Sequence, residues 1–409
     1  MVINNKMAKM IKEAQMHELN TIKEQINKGE SLYIEFKEFF SKANDIAAEI
    51  VAFANSEGGD IFFGIADNGE IKGIDTKNLE EYIVNICRNN CIPNIIPLYR
   101  EYYLDGKTIA VVSITKGKDK PYSTSDKEYY IRVGTSKRTA IREELMRLFQ
   151  ASGIFHYDIT AVPGTSIKDL NINLIRDYFK NYNTFDLYEE SDESINRILI
   201  NADILKEGTT PYECSVGGLL IFGRRIDKFL PQSGISFAHF NGNDISEDLI
   251  DKKQIVGNLP EIVEHAMIII KNNIKTPSTI IGAKRIEKEL MPGIVIREAL
   301  VNALIHRNYS ISGSKVRILM FDDRIEFHSP GRLPNTVTVD KMKIGVTYAR
   351  NPFLVKYMEN LRYIDHLGRG IPMIFKKLKD LNAPEPTIEE KGEELILTCY
   401  FANKTHDLF

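Results

Sequence analysis

The stretch FANSEGGDIFFGIADNG, residues 53–69, changes structural type within a few positions. The helical spacing of residues 45–54 ends at the glycine pair 58–59, and the apolar run 61–65 then has the length of a buried strand. The Asp-Asn-Gly sequence at 67–69 favours a tight turn, because Asn and Gly tolerate positive backbone angles. A helix, a strand and a turn in this order predict a mixed α/β (α+β) fold.

The composition is that of an ordinary globular protein. The chain has 409 residues, of which 43% are hydrophobic and 27% charged, with a formal net charge of −3. This length predicts two or three domains, and the charge excludes a protein that is basic overall. No apolar run is long enough for a membrane span or a signal peptide, which predicts a cytoplasmic protein without membrane contact. The four scattered cysteines predict free buried thiols more readily than a zinc site.

Turn-forming residues and breaks in periodicity along the chain predict four segments. Residues 1–28 are expected to form a helical extension, and residues 29–152 a mixed-sheet domain. Residues 153–290 are expected to be a connecting region, with a buried strand at 217–223, that either completes the sheet of the second domain or joins the modules. Residues 291–400 are expected to form a second α/β domain. The first boundary is placed at 152–153, where Gly and Pro dipeptides begin and helical periodicity stops.

Two carboxylates and a lysine surround the first predicted strand, in the segment ESLYIEFK at 30–37. Three further elements accompany it: AFANSEGG at 52–59, GIAD at 64–67 and YYIRVGTS at 129–136. Together they resemble the AlbA-like Schlafen domain over about residues 18–150. This resemblance implies a nucleic-acid-associated module with a mixed sheet.

The resemblance extends to the motif positions of the animal Schlafen nucleases. It implies that Glu30, Glu35 and Asp67 form a metal-dependent RNA-cleaving triad. Clustered carboxylates can hold Mg²⁺ or Mn²⁺, which activate water and stabilise the transition state. The alternative is that Glu30 caps or solvates the strand edge and that Asp67 serves only the turn.

Local positive charge is concentrated between residues 116 and 142, where eight basic residues face three acidic ones. Tyr122, Tyr129 and Tyr130 interleave with them, so that rings are expected to stack on bases while cations meet phosphates. The alternative is a solvated loop followed by an ordinary basic helix start. The candidate nucleic-acid-binding residues are Lys37, Lys116, Lys118, Lys120, Arg132, Lys137 and Arg138.

A second polar pattern lies in IVIREALVNALIHRNY, residues 294–309. Glu298, Asn302 and His306 follow a spacing of four and therefore share one face of the predicted helix. A Glu and an Asn one turn apart suit a general base and a magnesium ligand facing a bound triphosphate. The alternative is a buried polar network that only stabilises the fold.

This helix resembles the N-box of the GHKL ATPases. With MFDDRIEFHSPGRLP at 320–334, RNP at 350–352 and HLGRGI at 366–371, the segment resembles the divergent GHKL-like (Bergerat-type) α/β sandwich domain of RecG-like transcriptional regulators, over about residues 160–400. The resemblance implies ATP and Mg²⁺ as cofactors, and a homodimer. One departure is that Ser329 stands where the usual glycine box has an aspartate that accepts the adenine amino group.

The resemblance also implies roles for individual residues. Glu298 corresponds to the water-activating base and Asn302 to the magnesium ligand, with His306 beside them. Gly331, Gly368 and Gly370 correspond to the phosphate and lid region, where glycine lets backbone amides approach phosphate.

Both resemblances predict a nucleic-acid-binding protein, a transcriptional regulator or defence component, whose GHKL-like domain responds to nucleotide. Its partner is expected to be DNA or RNA. The alternative is an Mg²⁺- or Mn²⁺-dependent Schlafen-like endonuclease or endoribonuclease gated by the C-terminal domain. A third hypothesis is an assembly scaffold in which both sites are inactive.

Overall fold

The computed structural model describes residues 16–153, 155–182, 186–208, 212–274, 278–281, 284–287, 289–334, 337–364 and 368–402. The chain divides into two compact units, Met1–Ile154 and Phe155–Phe409. Its four cysteines are free and buried. Within the described ranges, no helix has both the length and the apolar character needed to cross a membrane.

The first unit is built around a four-stranded sheet of order β1-β2-β5-β4, in which β1 and β2 run parallel and the other pairs antiparallel. Its helices are α1 (16–28), α2 (Ala43–Asn55), α3 (Leu79–Asn89) and α4 (Arg142–Ala151). Its strands are β1 (Ile34–Lys37), β2 (Gly58–Phe63), β3 (Cys91–Ile92), β4 (Leu98–Leu104), β5 (Lys107–Thr115), β6 (Ser123–Thr124), β7 (Tyr130–Val133) and β8 (Ser136–Thr139).

Successive side chains of β2 pack against helices on opposite faces of this sheet. Ile61 and Phe63 are buried against α2 and α3, whereas Phe62 is buried with Ile22 and Ile26 of α1. Successive side chains of a strand point to opposite faces, so one short strand supplies two apolar cores. Residues 1–15 of the predicted helical extension lie outside the described residues.

Helix α2 begins slightly earlier than the sequence predicts. Its helical spacing is recognisable over residues 45–54, whereas the helix itself begins at Ala43 with Lys42 at the N-cap. The Asn44 side chain donates to Asp126 at 2.9 Å, because that carboxylate lies within reach of the first turn.

The second unit contains a six-stranded sheet of order β12-β11-β15-β16-β18-β17. Its helices are α5 (Ile172–Tyr182), α6 (Asp192–Asn201), α7 (Val216–Phe222), α8 (Ile226–Phe229), α9 (Leu259–Asn273), α10 (Gly293–Ile305), α11 (Val339–Lys343), α12 (Pro352–Asn360) and α13 (Gly370–Asp380). Its strands are β9 (Leu205–Lys206), β10 (Glu213–Cys214), β11 (Ile235–Phe240), β12 (Leu249–Ile255), β13 (Ser278–Ile281), β14 (Lys284–Glu287), β15 (Val316–Met320), β16 (Arg324–Pro330), β17 (Thr387–Lys391) and β18 (Glu394–Tyr400). Short 3₁₀ helices lie at Tyr157–Ile159, Ile167–Asp169 and Leu187–Glu189.

Helices α9, α10 and α13 pack with the buried side chains of this sheet in one large core. Strands β11 and β15 are parallel, and the remaining neighbours are antiparallel. Helices on a mixed sheet form an α/β sandwich. The predicted α/β (α+β) class is thereby confirmed.

The structure decides two expectations about residues 153–290. This segment completes the sheet of the second domain and is not a separate connecting region, because β11 and β12 are the first two strands of the six-stranded sheet and β11 pairs with β15. Residues 217–223 are not a strand, because α7 spans Val216–Phe222. The Ser215 hydroxyl accepts from the Gly218 N–H and caps this helix, and a short, fully buried apolar run fits a helix as well as a strand.

Candidate functional site

The AFANSEGG element of the first unit, residues 52–59, makes hydrogen bonds that hold residues 116–142, the basic segment. The Asn55 side chain donates to the carbonyl oxygens of Tyr122 and Tyr130 at 2.8 and 2.9 Å, and accepts from the Tyr122 N–H at 2.8 Å. The Ser56 hydroxyl accepts from the Arg132 N–H at 2.9 Å. Buried polar groups need such partners, so this element fixes the path of residues 120–132.

The glycine pair after α2 is required by close packing. At Gly59, φ is +157°, and an added Cβ would collide with the Phe53 ring and lie 2.6 Å from the Tyr33 carbonyl oxygen. Only glycine accepts this combination without strain. This explains the glycine in structural terms, without assigning it a chemical role.

Arg132 is the centre of a buried ion cluster. Its side chain has no exposed surface, and Nη1 donates to Glu35 Oε2 at 2.7 Å and to Glu49 Oε2 at 3.2 Å. Nη2 donates to the Ser31 carbonyl oxygen at 2.8 Å, and the guanidinium lies 4.5 Å from the centre of the Phe53 ring. The cluster joins β1, α2 and β7, which are distant in sequence.

Two lysines flank this cluster and are partly exposed. Lys37 Nζ lies 2.5 Å from Glu35 Oε1 and 3.5 Å from Glu49 Oε1, and Lys137 Nζ lies 2.7 Å from the same Glu49 oxygen. Burial alone raises the pKa of Glu35, but the hydrogen bonds from Lys37 and Arg132 outweigh it and lower the pKa below its ordinary value. Glu35 is therefore held as a carboxylate.

The three carboxylates of the predicted nuclease triad have different surroundings. Glu30 Oε1 accepts from the Phe36 N–H at 3.0 Å, and its pKa is raised by burial and further by the charges of Glu35 and Asp67. Asp67 is exposed on the turn. Among the described residues, no three His, Cys, Asp or Glu side chains form a group that could hold a metal. Both Glu35 oxygens are already paired with cations, one with Lys37 and one with Arg132. The metal triad stays a prediction.

The predicted nucleic-acid-binding set is corrected at two positions. Arg132 and Lys120 are buried, and Lys120 Nζ donates to the Ser56 carbonyl oxygen at 2.7 Å, so neither side chain is available to phosphate. The Tyr122 ring is also buried and cannot stack on a base. The local sequence shows that a residue is charged. It does not show whether the side chain points into the protein or toward solvent.

The remaining cations of this set lie wholly or partly at the surface. Lys116 pairs with Glu57 at 3.1 Å, and Arg138 makes a two-point contact with Glu144 at 2.7 and 2.8 Å. Lys118 is exposed. The accessible part of the predicted patch is thus smaller than the sequence indicated.

A pocket in the second unit brings together the residues predicted on α10 and on the glycine-containing segments. It lies between α10, β16 and α13 and has a largely apolar lining. Its polar and glycine lining includes Glu298, Asn302, His306, Ser329, Gly331, Gly368 and Gly370. Residues 366–367 of the HLGRGI motif lie outside the described residues.

The first two polar groups of the α10 face interact directly. Asn302 Nδ2 donates to Glu298 Oε1 at 3.0 Å. The Glu298 carboxylate lies so close to Gly370 that a Cβ there would collide with it. Glu298 is therefore at the beginning of α13, where the positive end of a helix dipole favours a carboxylate.

His306 and Ser329 lie toward the other end of the α10 face. Burial, and then the nearby charge of Arg350, lower the pKa of His306 to about 4, so its imidazole is neutral at physiological pH. The Ser329 hydroxyl donates to the Ala303 carbonyl oxygen at 2.7 Å. With its proton used in this bond, the Ser329 hydroxyl can only accept a hydrogen bond from a ligand. It does so as a neutral oxygen, where the usual glycine box has a carboxylate.

Arg350, which lines the same pocket, was not among the predicted site residues. Its guanidinium donates to the carbonyl oxygens of His306, at 3.1 Å, and of Arg332. At Gly331, φ is +120°, and a Cβ would collide with the Arg350 guanidinium. The RNP motif was the available signal, but a motif match does not show which side chain faces the pocket.

Asn351 and Asp158 position this end of the pocket. Asn351 Nδ2 donates to the carbonyl oxygens of Ile305 and Arg307 at 2.7 and 2.8 Å. Asp158 Oδ2 accepts from the N–H groups of Phe353 and Leu354 at 2.8 and 3.3 Å. Asp158 thus caps α12, and Asn351 ties the preceding loop to the end of α10.

Comparison with known families gives a match within each unit. Residues 30–141 match the family model described as "Schlafen, AlbA_2". Residues 313–399 match the model described as "Putative ATP-dependent DNA helicase recG C-terminal". The chain joins a Schlafen AlbA_2 domain to a RecG C-terminal domain. The RecG C-terminal match includes Ser329, Gly331, Gly368 and Gly370, whereas α10 with its polar face precedes the matched residues.

Two solved structures are similar to parts of this chain. The DIP2311 protein from Corynebacterium diphtheriae is 20% identical, with 90% of this chain and 75% of that chain covered and a TM-score of 0.47. The N-terminal domain of a RecG-related protein from Nitrosomonas europaea is 23% identical, with 30% and 92% covered and a TM-score of 0.22. A comparison with curated proteins gave no match.

Proposed function

We propose that this chain is a nucleic-acid-binding protein whose RecG C-terminal domain binds a nucleotide and thereby changes how the Schlafen AlbA_2 domain engages DNA or RNA. The observation that supports it is the single pocket that gathers Glu298, Asn302, His306 and the three predicted glycines. The family matches support the nucleic-acid part of the proposal. The transcriptional role and the homodimer stay predictions.

The pocket has the composition expected for a nucleotide. A mostly apolar lining with a few polar groups at its ends suits a flat base joined to a charged tail. Oxygen atoms of Glu298 and Asn302 are of the type that Mg²⁺ prefers, and a bound Mg²⁺ would neutralise phosphate charge. Glu298 is the residue that would orient or deprotonate a water.

Substitution of Asn302 tests the nucleotide part. We expect the wild-type chain to bind ATP in the presence of Mg²⁺, and Asn302→Ala to weaken binding about ten-fold by removing one polar contact. Isothermal titration calorimetry measures both. Asn201→Ala, an exposed asparagine at the end of α6, is the matched control and should bind as the wild type does. Absence of ATP binding by the wild type would contradict the proposal.

The salt dependence of nucleic-acid binding tests the other part. Lys118 and Lys127 are exposed in the basic segment. Each phosphate contact contributes about one unit to the slope of log affinity against log salt. We expect the double variant Lys118→Glu, Lys127→Glu to bind labelled single-stranded RNA or DNA more weakly, with a slope shallower by about two.

Fluorescence anisotropy between low and physiological salt gives this slope. Lys377→Glu, on an exposed position of α13, changes the net charge in the same direction within the other unit and serves as the control. A flat salt profile of the wild type would exclude the basic segment as a phosphate-binding surface. ATP added to the same titration reports whether the nucleotide changes nucleic-acid affinity.

The nuclease alternative needs a variant that preserves the fold. Glu35→Ala would leave Arg132 with one carboxylate fewer in a buried site, so lost cleavage would be ambiguous. Asp67→Asn changes an exposed turn residue instead. If the predicted triad cleaves RNA with Mn²⁺ or Mg²⁺, Asp67→Asn should abolish cleavage on a denaturing gel while retaining binding. Wild-type protein that binds without cutting would remove this alternative.

A further inference from the structure

The two ends of the pocket in the RecG C-terminal domain offer different groups to a ligand. Asn302 bonds to Glu298, and Glu298 lies against Gly370 at the beginning of α13. Side chains of a helix lean toward its N-terminus, whereas its carbonyl groups point toward its C-terminus. The last carbonyl groups of α10 therefore face away from Glu298. Under the proposed function, the phosphates and Mg²⁺ lie with Glu298 and Asn302, which leaves the other end for the base.

Two side chains contact the last turn of α10 at this other end, and both line the pocket. The Ser329 hydroxyl donates to the Ala303 carbonyl oxygen at 2.7 Å, so toward a ligand it can only accept. Arg350 donates to the His306 carbonyl oxygen at 3.1 Å. Residues 303 and 306 are about 4.5 Å apart along the helix axis. A hydrogen-bond acceptor and a cationic donor are thus held within one turn of each other.

Both side chains keep some capacity for a ligand. Ser329 has 7% of its surface exposed, and Arg350 is only partly buried. Arg350 donates to the carbonyl oxygens of His306 and Arg332, which leaves further N–H groups of its guanidinium for a ligand. Both of these acceptors are uncharged backbone groups. The positive charge of Arg350 therefore favours an electronegative atom of the ligand over a hydrogen-bond donor.

A purine with a carbonyl oxygen at C6 is complementary to this pair. Guanine presents O6 and N7 as adjacent acceptors, which arginine commonly contacts with two hydrogen bonds, and an N1–H donor on the other side of O6. Adenine has an amino group at C6, and this donor would face the Arg350 cation. If adenine placed its amino group on Ser329 instead, it would offer Arg350 only the single acceptor N1. Ser329 also removes an obstacle, because an aspartate at this position would repel O6.

We propose that this pocket takes a guanine nucleotide in preference to an adenine nucleotide, with Arg350 donating to O6 and N7 and Ser329 accepting from N1–H. The proposal rests on the proposed nucleotide-binding function and keeps the phosphates at Glu298 and Asn302. Leu395 is paired with Ser329 across β16 and β18, is partly buried and lines the pocket. Directly paired residues share one face of a sheet, so Leu395 supplies apolar surface for the purine ring beside Ser329.

The nucleotide preference of the wild type is the first test. Isothermal titration calorimetry of the full chain with Mg²⁺ uses GTP, ITP and ATP as probes. We expect GTP to bind about ten-fold or more tightly than ATP, because the hydrogen bonds to a charged group distinguish them. ITP lacks only the 2-amino group of guanine and keeps O6, N7 and N1–H. We therefore expect ITP to bind nearly as tightly as GTP.

Ser329→Asp tests the acceptor. A carboxylate accepts from the amino group of adenine and repels O6, so we expect GTP binding to weaken about ten-fold or more and ATP to become the preferred nucleotide. Ser312→Asp is the matched control, because it adds the same charge at an exposed position of this unit that does not line the pocket. This control should keep the preference of the wild type. Thermal denaturation of both variants reports whether the fold is retained.

Arg350→Gln tests the donor without depending on the stability of a buried carboxylate. Glutamine is uncharged and suits the N6 and N7 edge of adenine, so we expect the preference for GTP over ATP to be lost. Arg350 also binds the end of α10, and a variant that only loosened the pocket would weaken both nucleotides alike. The ratio of the GTP and ATP affinities therefore separates reading of the base from a structural role.

ATP bound as tightly as GTP by the wild type would overturn the guanine preference and leave the nucleotide function intact. ITP bound as weakly as ATP would also overturn it, since the 2-amino group would then decide the preference. An unchanged ratio of GTP to ATP affinity in Arg350→Gln would remove Arg350 as the group that reads the base. Absence of binding of all three nucleotides by the wild type would contradict both this proposal and the proposed function.

Discussion

Replacement of Arg132 by methionine is expected to lower the free energy of unfolding of the first unit by about 3–5 kcal/mol. The side chain is fully buried and is bonded to Glu35 and Glu49, which are themselves buried. Methionine fills much of the same space but carries no charge. The two carboxylates then keep only Lys37 and Lys137 as cationic partners. Removing one partner from a buried ion cluster costs far more than the cluster contributes when intact.

Urea denaturation of the full chain measures this effect, with hydrogen exchange of peptides from residues 30–141 assigning the transition to the first unit. Arg138→Met is the matched control, because Arg138 lies on the neighbouring strand β8 with its side chain 42% exposed and pairs with Glu144 at the surface. An exposed pair contributes at most about 1 kcal/mol. If both variants lose the same stability, the buried cluster does not hold the unit together.

Replacement of Asp158 by asparagine is expected to stabilise the second unit at neutral pH but not at pH 4. Burial raises the pKa of Asp158 from 3.8 to about 6, although the N–H groups of Phe353 and Leu354 lower it. The folded state thus favours the protonated acid. The contribution of Asp158 to stability is fully present below about pH 4 and is lost as the pH rises through about 6, by about 3 kcal/mol. Asparagine has the shape of the neutral acid and does not ionise.

The measurement is the difference in unfolding free energy between Asp158→Asn and the wild type from pH 4 to pH 8. His306, with its lowered pKa, destabilises the fold as the pH falls below about 6.5, and this opposite trend cancels in the difference. Asp177→Asn, an exposed carboxylate on α5, is the control and should show no pH-dependent difference. A constant difference for Asp158→Asn across this range would falsify the assignment.

The α10 face was predictable because its information is local. Glu298, Asn302 and His306 share a face through the helical repeat, and no distant contact is needed to place them together. The same reasoning applies to α9, whose apolar repeat and Asn258 cap are both local features. It failed at α7, where a short, fully buried run carries no periodic signal.

The sequence by itself determined the mixed α/β class, the motifs that carry the two domain resemblances, and the polar face that lines the pocket. Only the tertiary structure decided which charges are available. Arg132 and Glu35 are 97 residues apart, yet their ion pair removes both from solvent. Arg350 reaches the pocket because Gly331 leaves room for it. The physical reason is that a helix or strand follows from nearby residues, whereas the surroundings of a charge depend on distant segments that pack around it.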